Sequence, residues 1–411
     1  MITELTIAAS GMYLYERIVK RDLYKIKKEI SNIFYKNNLE YNIIDIEKKE
    51  FGYTVLVSLN SIGYDKLNNL KDNIETCFGY NSYITQNDNL KTATIDIITE
   101  RLSDTTKFSP VITTKPYEFY CGLNLKFVHL KSDLTRFPHV LVSGQTGSGK
   151  TEIIRLSIMN LIHNFSDRDI NIYFSDLSDM CDYEIFKNCK QVKGYAKTIE
   201  ESEQLFEYLM HIYKKRLSIF SSKSCKNIKE YNKSFNSKRM SYIYLVLDEF
   251  ADYFPQNQYE HDYKSKVKCY NILKHMVRKF RKAGIFLVIG IQRPDTTVLD
   301  PSLRSNLCTK IGFSQNTNSS SLVVCDTNEL TNIENRKGLF MYGNTREWFK
   351  SLYIDDKLIK HYIKNSIVTD KKDFNKFLEN NKKINSHAPI ENIKPAVVPK
   401  LKTKSKIKIC I

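Results

Sequence analysis

The chain has 411 residues, of which 42% are hydrophobic, with 26 Tyr and 22 Phe, so its composition excludes global disorder. Its net charge of +17 favours a polyanionic partner, while its longest apolar runs are far shorter than the roughly 20 residues that span a bilayer. Nine Cys without C-x-x-C spacing indicate neither a zinc site nor a disulfide framework, and residues 1–15 lack a signal-peptide pattern, so we expect a cytoplasmic protein without an intrinsic membrane span.

The length predicts two or three domains, and residues 1–105 have the pattern of a small α/β domain with the order β-α-β-β. Apolar residues at helical spacing come first, followed by short runs typical of strands. Residues 101–120 contain Pro110 and Pro116 and few periodic signals, which predicts a linker. The predicted elements are a helix over 14–35, a strand over 53–59, a helix through Leu67, Leu70 and Ile74, and strands over 82–86 and 92–98.

The sequence pattern over residues 121–356 predicts a second domain, in which strands alternate with helices. Most of these strands are nearly continuous in apolar residues, as strands covered on both faces should be. Strands joined by helices pair in parallel, so we expect a mostly parallel sheet. The strand candidates are 139–143, 171–175, 242–247, 285–291, 309–313 and 339–342.

A complete G-x-x-x-x-G-K-[ST] loop lies between the first of these strands and the helical run 152–164. Its glycines let backbone N–H groups converge on phosphate oxygens, and the dipole of the following helix faces the anion. Lys150 is expected to bridge the terminal phosphates of ATP, and the Thr151 hydroxyl to hold Mg²⁺. A Gly-rich turn without a ligand is the alternative. The loop residues are Gly144, Gln145, Thr146, Gly147, Ser148, Gly149, Lys150 and Thr151.

Two carboxylates close the apolar strand 242–247. At such a strand end Asp248 can bind the magnesium shell, and Glu249 can polarise the water that attacks ATP. Neither carboxylate has a cationic partner within the motif. A carboxylate pair after a strand can also be a helix N-cap, but behind a complete phosphate loop it predicts catalysis.

Further catalytic candidates surround the strand 285–291. Gln292 follows this strand and could sense the γ-phosphate, although it could also only cap the strand end. Arg278 and Arg281 precede the strand, and Arg304 follows it; each could reach a neighbouring subunit's nucleotide as an arginine finger, or be an ordinary surface cation.

The excess positive charge is concentrated in residues 357–411, a predicted Lys-rich basic tail with 14 Lys and four acidic residues. Such a tail binds a polyanion by releasing counterions, which favours DNA as the partner, although a merely solvating tail is the alternative. The segment 223–239 mixes six cations with Tyr231 and Phe235, and is a second candidate for DNA contact or a solvated connector.

The motifs together resemble the FtsK/SpoIIIE family of DNA-pumping ATPases. The likeness covers about 121–345, and the domain before it looks like the small domain that precedes the motor in those translocases. It implies a RecA-like P-loop NTPase core assembled as a hexameric ring around double-stranded DNA. The matching stretches are His139 to Thr151, Leu247 to Asp252, Arg281 to Ile285 with Gln292 to Pro294, and Lys226 to Asn232.

Departures from the family pattern narrow the choice among the members of the family. Asp176-Leu-Ser178 stands where the family has Asp-Pro-Lys, and neither a winged-helix reader nor a membrane anchor is visible. A compact motor with a basic tail looks most like the TcpA-type coupling proteins of Gram-positive conjugative elements. That layout implies a relaxase and a membrane transfer channel as partners, which would recruit the protein to the membrane.

The sequence therefore predicts an ATP-driven DNA translocase that serves conjugative transfer. The alternative is a protein-secretion ATPase, because related motors with the same signatures drive export of small proteins. Those motors usually string several motor domains together, whereas this sequence has one phosphate loop. A nucleotide-binding regulator without turnover is disfavoured, because Lys150, Thr151, Asp248 and Glu249 are all present.

Overall fold

The computed structural model describes residues 2–103, 106–110, 115–178, 181–371 and 374–378, with side chains in the first helix described from residue 19 onward. The chain divides into two units, each with its own internal packing. Unit 1 comprises Met1–Thr106 and Leu123–Leu130, and unit 2 comprises Lys107–Gly122 and Lys131–Ile411.

Unit 1 contains a four-stranded antiparallel sheet with the strand order β1-β2-β4-β3. One face of α1, including Ile26, Ile30 and Ile33, is buried in a core with Val55 and Val57 of the sheet. These side chains recur at helical and alternating spacing, which explains why the segments form those elements. The elements are α1 (Ile2–Lys36), β1 (Asn42–Lys49), β2 (Gly52–Ser58), α2 (Tyr64–Asn68), α3 (Lys71–Phe78), β3 (Ser82–Gln86) and β4 (Thr92–Ile98).

The predicted β-α-β-β order of this domain needs a correction, because β1 adds a strand. This strand lies at the edge of the sheet and most of its residues are exposed, so it has neither an apolar run nor a regular alternation. The helix predicted over 14–35 is the carboxyl part of the longer α1. Strands β3 and β4 have the predicted bounds.

Unit 2 is built around a ten-stranded sheet with the order β6-β5-β14-β13-β12-β7-β11-β10-β8-β9. The turn between β5 and β6, with the adjoining ends of both strands (Leu123–Leu130), belongs to unit 1. Its elements are β5 (Glu118–Asn124), β6 (His129–Asp133), β7 (Val140–Ser143), α4 (Lys150–Asn164), β8 (Ile170–Ser175), β9 (Val192–Ala196), α5 (Ile199–Ser222), α6 (Ile228–Ser234), β10 (Tyr242–Leu247), α7 (Tyr263–Lys279), β11 (Ile285–Ile291), α8 (Pro301–Arg304), β12 (Thr309–Gly312), α9 (Asn318–Cys325), β13 (Lys337–Tyr342), β14 (Thr345–Lys350) and α10 (Asp356–Ile363).

Six neighbouring strands, from β12 to β9 in the sheet order, run parallel, so the predicted α/β class with a mostly parallel sheet is confirmed. Every residue of β10 and β11 is buried. Helices α5 and α7 pack together and share a core with these two strands. Because parallel strands have all their carboxyl ends at one edge, the segments after β7, β10 and β11 come together there.

Strands β5, β6, β9 and β14 were not predicted, because they carry polar residues or are short. Strand β14 pairs with β13 as an antiparallel hairpin, and its Arg346 and Glu347 leave no apolar run. Strand β9 contains Gly194 and lies at one edge of the sheet.

The chain after β14 folds back onto unit 2. Helix α10 packs against α4 and buries Ile359 and Ile363. Residues 367–371 and 374–378, here called the edge segment, lie along β9, where the Asn375 N–H donates to the Lys193 carbonyl at 3.0 Å. Residues 357–371 of the predicted basic tail are thus part of the fold, whereas 379–411 lie outside the described residues.

No helix in the described part of the chain has the length and hydrophobicity needed to cross a membrane.

Candidate active site

The predicted phosphate loop leaves β7 and enters α4 at Lys150. Gly147 and Gly149 have φ values of +79° and +112°, which glycine adopts far more readily than other residues. The loop is tied down at its start, because the Gln145 N–H donates to the Ser314 carbonyl at 3.0 Å. A side chain on Gly144 would meet Ser148 and Phe313 within 3 Å, so a glycine is required there.

The loop fits a phosphate group. A Cβ added at Gly147 meets no atom within 4 Å, so the outer side of the loop is open for a ligand. Ser148 Oγ is buried and has no hydrogen-bond partner among the described residues. An open, glycine-lined backbone that leads into a helix N-terminus is a site for phosphate oxygens.

Lys150 connects this loop to the two carboxylates after β10. Its amine donates to the Asp248 carbonyl at 2.9 Å, and lies 3.4 Å from Glu249 Oε2 and 3.9 Å from Asp248 Oδ1. The side chain is only 4% exposed. A buried ammonium needs such compensation, so these carboxylates hold Lys150 at the place where the terminal phosphates are expected.

Gln292 joins the same cluster from the end of β11. Its N–H donates to Glu249 Oε2 at 2.9 Å, while its side-chain oxygen accepts from the Thr146 hydroxyl at 3.2 Å. Gln292 therefore contacts both the phosphate loop and the predicted base. Burial raises the pKa of Glu249, although the Lys150 amine and the Gln292 N–H partly oppose this shift. A carboxylate with a raised pKa is a better proton acceptor.

Tyr183 is a site residue that the sequence reasoning missed. Its hydroxyl donates to Asp248 Oδ1 at 2.9 Å, and the side chain is fully buried. The adjacent Asp182 is half-buried, and burial, with Asp248 close by, raises its pKa. No motif identifies Tyr183 as a site residue, because it lies 65 residues before Asp248 in a segment without regular periodicity.

Arg336 is the second residue that was missed. It immediately precedes β13, its N–H donates to the Ser148 carbonyl at 3.3 Å, and its guanidinium lies 2.5 Å from Glu152 Oε2 in the first turn of α4. The guanidinium also faces the ring of Tyr353 at 5.2 Å. A cation is therefore held against the phosphate loop by the chain itself.

The three predicted arginine-finger candidates lie away from this cluster. Arg281 lies in the short helical turn before β11, and Arg278 lies in the last turn of α7. Burial, with Arg281 nearby, lowers the pKa of His139, just before β7, to about 3. Arg304 precedes the amino end of β12. All three lie toward the amino ends of the strands, whereas the phosphate loop lies at the carboxyl ends.

Oxygen ligands suited to a magnesium ion occur at the loop and at the end of β10. The Thr151 hydroxyl and the Asp248 carboxylate are hard donors of the kind that Mg²⁺ prefers. No group of three or more His, Cys, Asp or Glu side chains in the described residues forms a metal site of its own. This sparse donor set fits an ion that takes its other ligands from phosphates and water.

Comparison with known proteins links this arrangement to a family. Residues 121–296 match the model of the FtsK/SpoIIIE family. The DNA translocase FtsK of Vibrio vulnificus is 22% identical over 240 residues, which are 52% of this chain and 24% of that protein. The matched part thus spans about a quarter of that relative's length.

Two solved structures share the fold. The pCW3 conjugation coupling protein TcpA, in a monomer form with ATPγS, superposes with a TM-score of 0.60 at 20% identity, covering 83% of this chain and 99% of that chain. The cytoplasmic domain of the type VII secretion ATPase EccC from Thermomonospora curvata gives a TM-score of 0.54 at 19% identity, covering 66% and 33%. At these identities the likeness establishes the fold.

Proposed function

We propose that this protein is an ATP-driven DNA translocase that acts as a coupling protein in conjugative transfer, because residues 121–296 match the FtsK/SpoIIIE family model. The observation that carries the proposal is the meeting of Lys150, Glu249 and Gln292 at the carboxyl edge of the parallel sheet. These groups suit cleavage of a nucleoside triphosphate, and the family match supports DNA as what the motor moves.

In the proposed reaction the phosphate loop binds ATP, and Lys150 turns from the carboxylates to the β- and γ-phosphates. Thr151 and Asp248 would hold Mg²⁺, which supplies charge neutralisation on the phosphates. Glu249 accepts a proton from the attacking water. Gln292 contacts both Glu249 and Thr146, so it would couple the presence of the γ-phosphate at the loop to Glu249.

Two features support DNA as the partner. A relative that matches over 240 residues is a DNA translocase, and the chain carries a net charge of +17. The cations over 223–239 follow the end of α5 and continue through α6 into the turn after it. Lys229, in α6, faces the ring of Tyr117 at 5.1 Å. Double-stranded DNA threaded through a homohexameric ring is the arrangement that we propose.

The conjugative role rests on the likeness to TcpA, which covers nearly all of that chain. A relaxase and the proteins of a membrane transfer channel are the proposed partners, and they would recruit the motor from the cytoplasm to the membrane. Secretion of small proteins is the second candidate, because EccC shares the fold. It ranks lower because the Vibrio vulnificus relative matched by sequence is a DNA translocase.

The proposal predicts that ATP hydrolysis is stimulated by DNA. Purified protein with Mg²⁺ and ATP should release phosphate several-fold faster when duplex DNA longer than the ring is added. Phosphate release would be measured with duplex, with single-stranded DNA and with a polyanion such as heparin, and Glu249→Gln would give the background rate. A rate that is indifferent to all DNA would contradict translocation. Recovery of polypeptides without DNA in a pull-down would favour secretion.

A further inference from the structure

Arg336 is joined to the phosphate loop through its backbone and its side chain. Its N–H donates to Ser148, and its carbonyl accepts from the Ser351 N–H at 2.8 Å. Its φ is +62°, a left-handed conformation that is uncommon for a residue other than glycine. The surrounding contacts therefore hold this backbone in a costly conformation, as is often seen at functional sites.

The side chain of Arg336 is also fixed. It is 11% exposed, its guanidinium pairs with Glu152 at 2.5 Å, and the Tyr353 ring covers it at 5.2 Å. A carboxylate in the first turn of α4 stands close to where phosphate oxygens bind, and it would repel them if it were alone. Arg336 neutralises Glu152 at this position.

The strand order places Arg336 on a defined side of the loop. Strand β7 leads into the loop, with β11 and β10 on one side of it and β12 and β13 on the other. Glu249 and Gln292 follow β10 and β11, so the γ-phosphate faces that side. Arg336 precedes β13, so it lies on the opposite side, where the α-phosphate and the nucleoside are expected.

We propose that Arg336 is a nucleotide-positioning residue, which contacts the α-phosphate or the ribose of ATP bound in the same chain. The planar guanidinium matches both a carboxylate and a phosphate, so it can hold Glu152 and the nucleotide in one arrangement. This inference deepens the proposed ATP site and rests on it. It assigns a cation in cis, distinct from the arginine candidates at the amino edge of the sheet.

The test is the affinity of the full chain for ATP and ADP, measured by titration calorimetry with Mg²⁺. For Arg336→Gln we expect roughly a 10- to 100-fold weaker Kd for both nucleotides, since a hydrogen bond to a charged group is lost. Both should weaken equally, because ATP and ADP share the α-phosphate and the nucleoside. Arg336→Lys keeps the charge without the planar fork, and its Kd should fall between those of Arg336→Gln and the unsubstituted protein.

Arg346→Gln is the matched control. Arg346 lies in β14, which pairs with β13; its guanidinium lies 2.5 Å from the Glu329 carboxylate, and its side chain is half-exposed. Its nucleotide affinities should stay within about two-fold of the original values. Unchanged affinities in Arg336→Gln and Arg336→Lys, whatever their melting temperatures, would overturn the inference. A loss confined to ATP would overturn the placement at the α-phosphate. Absence of nucleotide binding by the unsubstituted protein would instead overturn the proposed function itself.

Discussion

Lys150 is the residue on which the charge balance of the site depends. In the structure its ammonium is almost fully buried, and the Asp248 carbonyl and the Glu249 carboxylate compensate it. In the proposed reaction the phosphates would supply this negative charge, which would free Glu249 to act on water.

This exchange of partners predicts different defects for two substitutions. Lys150→Ala removes the cation that binds the terminal phosphates and should abolish measurable ATP binding. Glu249→Gln keeps the shape of the side chain but removes the base, so binding should persist while hydrolysis slows by about 10²-fold or more. Calorimetry would give the affinities and phosphate release the rates. An equal loss of ATP affinity in both variants would refute the assigned roles.

Two residues of the site show what a motif cannot reveal. Tyr183 reaches Asp248, and Arg336 reaches Glu152, across 65 and 184 residues of chain. Neither residue lies in a motif or at a spacing that distinguishes it from the other Tyr and Arg residues of the sequence. Their positions depend on the path of the chain after β8 and before β13, which no local pattern describes.

Among the elements, the central strands were predictable and the edge strands were not. Strands β10 and β11 are buried on both faces. Such burial requires apolar residues at successive positions, and these continuous apolar runs are visible in the sequence. Strand β1 lies at a sheet edge with most of its residues exposed, and β14 carries charges among its apolar residues. Such strands are stabilised by pairing with a neighbouring strand more than by burial of their own side chains.

The edge segment covers β9, which would otherwise present unpaired backbone groups at the edge of the large sheet. The Val368 N–H donates to the Asn188 carbonyl at 2.9 Å, and the Asn375 side chain accepts from the Tyr195 N–H at 2.9 Å. Phe377 is 1% exposed and packs against Gly194, where a side chain would clash with its ring. The edge segment is therefore a structural part of unit 2.

Phe377→Ala should lower the free energy of unfolding by about 3–5 kcal/mol, because a fully buried aromatic ring is lost from the core. Urea denaturation followed by far-UV circular dichroism would measure the change. Ile367→Ala is the control in the same segment, since Ile367 is 47% exposed and should cost less than about 1 kcal/mol. Equal effects of the two substitutions would show that the edge segment is not anchored as described.

At the scale of the whole molecule, the phosphate loop and the arginine candidates lie at opposite edges of one sheet. Arg281 and Arg304 therefore cannot serve the loop of their own chain without a large movement, and a neighbouring subunit is the route by which they could act. This arrangement is what a ring of identical motors would need, and it is consistent with the proposed hexamer.

Ring formation predicts a change in native mass with nucleotide. With Mg²⁺ and ATP, Glu249→Gln should assemble into a species of about six times 48.1 kDa, because ATP stays bound at the subunit interfaces. Lys150→Ala, which should not bind ATP, is the control and should remain smaller under the same conditions. Native mass spectrometry would distinguish the two. A monomer in every nucleotide state, with and without DNA, would contradict the ring.

The phosphate loop, the carboxylates after β10 and the parallel central strands could be predicted from the sequence, because each is encoded by residues close together in the chain. The family resemblance, carried by those same stretches, is confirmed by the match over 121–296. Only the folded chain shows that Lys150 pairs with Glu249, that Tyr183 donates to Asp248 and that Arg336 flanks the loop. These contacts join distant segments, and their geometry follows from how the strands are ordered in the sheet.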